Sequence, residues 1–203
     1  MIISKGELDQ MEIRKKVQLA TSLPGAKPIC LVGTKSQAGV ENLAPFSSIT
    51  HLGSNPLLIG MVTRPDTVER HTLQNILDSK AWTLNHITEE FLQAAHQCSA
   101  KYPGGVSEFE ATGLTAHYEA GGFAPFVAES PVKFSLELEE VIDIKSNGTK
   151  LIVGSVQQII LPDVALEASG HLDLSGLGCL ASTALDTYFS IQEIGRLPYA
   201  RPE

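Results

Sequence analysis

Short runs of apolar, β-forming residues, separated by glycine, proline and polar turns, dominate the first third of the chain. Such runs occupy residues 28–34 and 57–63, and a similar segment at 42–50 reads NLAPFSSIT. Strands joined by hairpins produce this pattern. The chain is therefore expected to begin as a β-meander, preceded by a helix at residues 7–20.

Two helices are predicted as inserts between the strands that follow. The first spans residues 67–79, and Asp66 and Glu69 have the spacing of a capping box at its start. Its apolar face consists of Leu73, Ile76 and Leu77. A strand is predicted at 81–87, and a second helix begins at Thr88. The apolar side of this second helix consists of Phe91, Leu92, Ala95 and Cys98.

The second half of the chain opens with residues 102–125, whose glycine, proline and polar content predicts a long functional loop or lid. Alternating apolar residues from Val132 to Leu138, and a turn at Asn147 before residues 151–161, predict a long antiparallel hairpin. Many hairpin-joined strands, with two helices that do not alternate with them, indicate a mainly β fold. We predict a β-barrel with helical inserts, in one domain over residues 1–203.

The composition narrows the class of protein. Of the 203 residues, 43% are hydrophobic and 19% are charged, and no apolar run is long enough to cross a bilayer. The N-terminal segment lacks the hydrophobic core of a signal peptide, so a cytoplasmic location is expected. A net charge of −8 disfavours duplex nucleic acid as a partner. Cys30, Cys98 and Cys179 lie far apart and are expected to be buried, reduced thiols.

The sequence offers no established motif for a catalytic triad or a metal site. Residues 176–181 match a loose dinucleotide-binding pattern, but too few residues follow for the βαβ unit that this pattern requires. The six histidines show no metal-ligand spacing, and no serine lies in a G-x-S-x-G turn. We therefore expect neither a metal ligand nor a catalytic side chain.

Two other segments together suit a flat cofactor that carries a phosphate. The first consists of Asn42, Leu43, Ala44, Pro45, Phe46, Ser47 and Ser48. A proline within a strand is expected to prevent regular pairing at that point, which leaves main-chain amides and carbonyls for a ligand. The alternative is an ordinary strand with a bulge.

The second segment, residues 64–75, combines cations and hydroxyls with a helix start, which is how proteins hold a phosphate group. Its cations and hydroxyls are those of Arg64, Arg70, Thr67 and Thr72. The alternative is a solvated helix start, because capping accounts for Asp66 and Glu69.

Several stretches resemble one known family, and they occur in that family's order. They read PICLVGT from Pro28, NLAPFSSIT from Asn42, NPLLIGMV from Asn55, RHTLQNI from Arg70 and EFEATGL from Glu108. Across residues 28–160 the chain resembles the flavin reductase-like FMN-binding split barrels, a group that includes flavoredoxins. The resemblance implies a split β-barrel and a homodimer with FMN bound near the subunit interface.

The resemblance also implies roles for single residues. Residues 42–48 would contact the isoalloxazine ring and the ribityl chain, and Arg70, Thr72 and Asn75 match the family's Lys-Asp-Thr-x-x-Asn helix start near the phosphate. Arg64 adds a second cation.

One position in the site departs from the family pattern, and the C-terminal part matches less well. His71 stands where an aspartate is usual, so its role stays open. Near the C-terminus, Tyr188 or Arg201 would reach the flavin or the partner subunit.

Three functions remain open at this point. The leading hypothesis is an oxidoreductase in which NAD(P)H passes a hydride to FMN, and the reduced flavin serves a partner monooxygenase or another electron acceptor. The second is a flavoredoxin-like electron carrier without its own NAD(P)H activity. The third is a binding module that has lost the flavin, for which the change at His71 is the best support.

Overall fold

The computed structural model describes residues 1–65, 70–103 and 105–202. Its α-helices are α1 (Lys5–Gln10), α2 (Ile13–Ser22), α3 (His71–Ser79), α4 (Leu92–Gln97) and α5 (Glu108–Thr112). Its strands are β1 (Lys27–Pro28), β2 (Cys30–Lys35), β3 (Glu41–Phe46), β4 (Ile49–Ser54), β5 (Leu57–Thr63), β6 (Ala81–His86), β7 (Ala116–His117), β8 (Phe126–Val127), β9 (Lys133–Ile144), β10 (Thr149–Ile160), β11 (Leu180–Thr183) and β12 (Thr187–Ser190). Short 3₁₀ turns lie at Glu89–Phe91 and Asp163–Ala165.

Seven strands form the main sheet, in the order β3-β2-β6-β9-β10-β5-β4, and every neighbouring pair is antiparallel. The predicted hairpin is confirmed as β9 and β10, which have 12 residues each and form the centre of the sheet. Its turn lies where the sequence places it, at Asn147 and Gly148. The strands predicted at the start of the chain are present, but they form two separate hairpins, β2 with β3 and β4 with β5, so the predicted continuous β-meander is wrong.

The two outermost strands of this sheet are neighbours along the chain. Only Ser47 and Ser48 separate β3 from β4, so the two ends of the sheet must lie close together. No pairing joins these two strands within the described residues, and the sheet therefore curls without closing. The prediction of a mainly β fold with helical inserts is confirmed as this split barrel.

Alternate side chains of β2 enter two separate hydrophobic clusters, because neighbouring residues of a strand point to opposite faces. On one face, Ile29 and Leu31 pack with residues of α4 and α5. On the other face, Cys30 and Val32 pack with the predicted apolar face of α3. The helical inserts thus cover both faces of the sheet beside β2 and β3.

Three details of the helix predictions change in the structure. The expected helix at residues 7–20 is interrupted, because the Glu12 carboxylate accepts hydrogen bonds from the amides of Arg14 and Lys15 and starts α2 there. The capping box predicted at Asp66 and Glu69 lies outside the described residues. The helix that it was expected to start is described from His71 onwards.

The prediction of one long loop at residues 102–125 is wrong. This stretch contains α5 and β7, and Phe109 is buried in the core. The short helix is stabilised because Phe109 buries apolar area in a hydrophobic cluster. The glycines and prolines that flank it in the sequence do not indicate this burial.

Small elements complete the fold beyond β10. Strand β11 pairs with β1 and β12 in a separate three-stranded sheet. The three cysteines are buried and free, as predicted. None of the helices in the described parts of the chain has the length and hydrophobicity that crossing a bilayer requires.

Packing between β6 and β10 gives a stability prediction. A Cβ atom at Gly154 would lie 2.6 Å from Cζ2 of the buried Trp82 indole and 3.0 Å from the Glu137 carbonyl oxygen. Gly154→Ala should therefore lower the free energy of unfolding by about 1 to 3 kcal/mol, the usual cost of overpacking a core. Urea unfolding followed by Trp82 fluorescence measures this.

The matched control is Gly6→Ala, since a Cβ atom at that position would meet nothing within 4 Å. Alanine favours a helix over glycine, so this variant should unfold at an equal or higher urea concentration than the wild type. Equal stability of the two variants would contradict the packing argument.

Candidate functional site

A cavity of about 730 Å³ lies beside the edge strand β3 of the main sheet. This volume is within the range of about 300 to 1,000 Å³ that is usual for sites of small ligands. One wall is formed by the 42–48 segment without Leu43, by residues 62–64, and by residues 70–73. The facing wall is formed by Ala20, Thr21, Pro24, Lys27, residues 98–103, Ala184 and Leu185.

Leu43 and Pro45 direct their backbone nitrogens to the edge of β3 that does not pair with β2. The amide of Leu43 points away from β2, since it donates a hydrogen bond of 2.9 Å to Glu108 Oε2. The nitrogen of Pro45, two residues later, points the same way because strand residues alternate. Proline therefore costs no hydrogen bond to β2, and the pairing of β2 with β3 runs in unbroken register through Pro45. The expectation that this proline prevents regular pairing is wrong.

A buried hydrogen-bond network fixes α3 against the hairpin of β2 and β3. Asn42 Nδ2 donates to Thr34 Oγ1 at 3.3 Å and to Thr72 Oγ1 at 3.0 Å. Asn75 Nδ2 donates to the same Thr34 oxygen at 3.1 Å. These four side chains are all at most 8% exposed. Their hydrogen bonds set where the first turn of α3 meets the cavity.

Two arginines and a histidine gather at the end of the cavity beside the start of α3. Arg64, Arg70 and His71 all line it there. The only hydrogen bond of Arg70 to another described residue runs from Nε to the carbonyl oxygen of Pro65, at 3.3 Å. Its other guanidinium N–H groups are therefore available to a ligand.

A buried hydroxyl at the same end lacks a partner. Thr63 is 3% exposed, and its Oγ1 makes no hydrogen bond within the described residues. Buried polar atoms of native proteins are almost always hydrogen-bonded. Cations, an unpaired hydroxyl and a helix start together fit the phosphate group of a ligand.

Glu108 is the functional candidate that the sequence analysis did not select as a site residue. It lies on α5, is 7% exposed, and lines the cavity. Burial raises the pKa of its carboxyl group, while the hydrogen bond from Leu43 and the nearby His71 act in the opposite direction. The sequence signal that could have indicated Glu108 is its position next to the large apolar residue Phe109, in a stretch that was predicted as a loop.

The facing wall ends in a strained turn between β11 and β12. Ala184 and Leu185 have φ angles of 55° and 63°, which residues other than glycine rarely adopt. Tyr188 Oη donates to the Leu185 carbonyl oxygen at 3.2 Å, and it lies 2.8 Å from His96 Nδ1. Tyr188 therefore supports the wall from behind, and it is not among the cavity-lining residues.

Thr67 lies outside the described residues, and the structure brings together the other predicted site residues except two. Leu43 is fully buried in the core, and Asn75 is committed to Thr34, so neither side chain lines the cavity. Among the described residues, no group of metal-ligating side chains is present. His51 lies away from the cavity, next to Ser54 on β4. Arg201 is exposed near the C-terminus.

Comparison with known families decides what kind of protein this is. Residues 25–173 match the family described as "Flavin reductase like domain". The chain belongs to this family. By kind it is therefore a flavin-binding oxidoreductase, and its cavity lies where the matched segment contributes both β3 and α3.

Solved structures agree with this family assignment. A protein of Shewanella frigidimarina, assigned as a flavin reductase with a split barrel domain, is 40% identical, with a TM-score of 0.94 over 98% of this chain and 100% of that one. Nitrilotriacetate monooxygenase component B from Bacillus cereus has a TM-score of 0.85 at 23% identity, over 97% and 98%. Flavoredoxin of Desulfovibrio vulgaris has a TM-score of 0.74 at 19% identity, over 86% and 92%. The last two share the fold with this chain.

Proposed function

We propose that this protein binds FMN in the cavity and catalyses its reduction by NAD(P)H. The observation that carries the proposal is the cavity itself, which combines the edge strand β3 with the arginines at the start of α3. The membership of the flavin reductase family supports the flavin part of the proposal. The proposal that NAD(P)H donates the electrons is tested by measuring NAD(P)H oxidation.

Two parts of the wall formed by residues 42–48, 62–64 and 70–73 divide the work of holding FMN. We assign the isoalloxazine ring and the ribityl chain to the 42–48 segment, whose residues line the cavity except for the side chain of Leu43. The phosphate group would be held by Arg64, Arg70 and Thr72, with the unpaired Thr63 hydroxyl as a further donor. Asn75 would act indirectly, by holding Thr34 and thus the first turn of α3.

The bound flavin would itself supply the capacity to accept and release a hydride. The chain would bind the two cofactors, orient them and exclude water, which needs no catalytic acid or base. The reduced flavin would then serve a partner monooxygenase or another electron acceptor. We also propose a single domain and a cytoplasmic location, where the three buried thiols stay reduced.

Arg70 provides the test of the phosphate assignment. Arg70→Ala should weaken FMN binding by about 1.5 to 3 kcal/mol, the range for a hydrogen bond to a charged group, and should leave riboflavin binding unchanged. Quenching of flavin fluorescence during titration measures both affinities.

The matched control is Arg14→Ala on α2, because Arg14 does not line the cavity and its loss should leave both affinities unchanged. If the wild-type protein binds riboflavin as tightly as FMN, the phosphate assignment is wrong. If Arg70→Ala binds FMN normally, Arg64 becomes the main phosphate ligand.

The donor is tested by NAD(P)H oxidation with and without added FMN. We expect oxidation that depends on FMN, and a limiting rate of flavin reduction in His71→Ala within a few-fold of the wild type. A general acid or base would instead cost about 10²- to 10⁴-fold. Stopped-flow absorbance at saturating NADH and NADPH provides the rates.

Failure of both nicotinamides to reduce the bound flavin would point to an electron carrier instead of a reductase. A protein that binds no flavin at all would contradict both functions. A thousandfold loss in His71→Ala, with flavin still bound, would assign a proton-transfer role to this histidine.

The protein should also be a homodimer. Large hydrophobic side chains are exposed on adjacent strands of the main sheet, namely those of Leu52, Leu57, Ile142 and Ile159. A stable dimer usually buries more than about 1,200 Å² in total, and such residues supply apolar area for it. Light scattering coupled to gel filtration at micromolar concentration should give twice the chain mass, whereas a monomer would contradict the proposal.

A further inference from the structure

Glu108 is an acidic residue in a cavity whose other ionisable charged side chains are basic. Among the described residues that line the cavity, it is the only acidic side chain. The basic side chains of the same lining are those of Lys27, Arg64, Arg70, His71 and Lys101. An anionic ligand that is attracted by these cations must therefore share the cavity with one buried carboxyl group.

The position of this carboxyl group is fixed by the element that packs against it. Oε2 accepts the hydrogen bond from the Leu43 amide on β3, and the backbone amide of Glu108 itself also favours the charged carboxylate, which lowers its pKa. The group is 7% exposed, so water can only partly offset its charge. The hydrogen bond to Leu43 is possible for both protonation states, because a neutral carboxyl group keeps an acceptor oxygen.

Few titratable groups surround Glu108. From the start of α3, His71 is close enough to favour the charged carboxylate. Just beyond α4 lies Cys98, and the charge of Glu108 contributes to raising the pKa of its thiol. On the same helix, Glu110 is exposed to solvent. Among the described titratable groups, His71 is thus the one whose charge favours the carboxylate, alongside the amide of Leu43.

We propose that Glu108 takes up one proton from solvent when a phosphate-bearing ligand enters the cavity, so that a neutral carboxyl group lies beside the bound anion. The proposal rests on the proposed binding of FMN and goes beyond it. Glu108 then acts as a positioning residue: it holds the edge of β3 through Leu43 in both states, and its protonation removes the repulsion between two anions.

The direction of the effect follows from linkage. Burial already raises the pKa of Glu108 in the free protein, and a bound phosphate raises it further. Proton uptake occurs between these two pKa values, above the ordinary range of a carboxyl group. Towards higher pH the wild-type protein must bind the anion against a charged Glu108, and its FMN affinity falls.

The experiment measures the number of protons taken up on FMN binding. Calorimetric titrations from pH 5 to 8, in buffers of different ionisation enthalpy, give this number for the wild type, Glu108→Gln and Glu110→Gln. Glutamine keeps an oxygen for the Leu43 amide and cannot take up a proton. Glu110→Gln is the matched control, with the same change on the exposed side of α5.

We expect the wild type and Glu110→Gln to take up more protons than Glu108→Gln, by about half a proton at the pH midway between the two pKa values. At pH 8, Glu108→Gln should bind FMN about tenfold more tightly than the wild type, which corresponds to a shift of one pKa unit. Riboflavin should show neither difference. The ionisation of the FMN phosphate itself cancels in the comparison between variants.

Equal proton uptake by the wild type and Glu108→Gln would overturn the proposal, as would uptake that persists in Glu108→Gln and disappears in His71→Gln. If Glu108→Gln does not fold, Glu108→Met replaces it in the comparison between variants, and proton uptake equal to that of the wild type contradicts the proposal. A wild-type protein that does not bind FMN would refute the proposed function first.

Discussion

The buried hydrogen bonds among Thr34, Asn42, Thr72 and Asn75 hold the functional part of this protein together. They connect the hairpin of β2 and β3 to α3, which lies 30 to 41 residues further along the chain. Because these polar groups are shielded from water, breaking one of them would leave its partner unsatisfied at a cost of about 1 to 3 kcal/mol. The relative position of the β3 edge and the cations beside α3 is therefore well determined before any ligand binds.

The edge of β3 that borders the cavity is unpaired because the barrel does not close. A full pairing of β3 with β4 would use the main-chain groups of both edges, and the seam between them would then be filled. The two-residue connection through Ser47 and Ser48 keeps the edges close without pairing them. One edge thus remains for a ligand, and residues 62–64 and 70–73 reach it from the adjoining strand and helix.

Much of the fold could be predicted from the sequence, since its signals are local. The alternation along β9, the Asn147-Gly148 turn and the apolar face of α3 depend on neighbouring residues, and all are confirmed. The breaks in the predictions have a common cause, which is long-range packing. The helix at Phe109 is stabilised by a cluster whose other members lie on β2, β3 and α4, and no periodicity within five residues reveals it.

In the site, too, the residues that local sequence signals indicate were predicted, and those that depend on long-range packing were not. Arg64 and Arg70 were recognisable as a pair of cations near a helix start, and both line the cavity. Asn75 was placed beside the phosphate because its position matches a motif, but its side chain serves Thr34. Glu108 could not be ranked without knowing that α5 packs on the edge of β3, since only this contact buries its carboxyl group.

Pro45 and Glu108 together have a further effect on the behaviour of the protein in solution. An exposed strand edge with free amides is a template for pairing with strands of other molecules, and it promotes aggregation. Along β3 the outward amide of Leu43 is already occupied, and Pro45 has no amide to offer. The edge of β3 therefore offers few amides for pairing with strands of other molecules. The barrel can keep its gap without promoting aggregation.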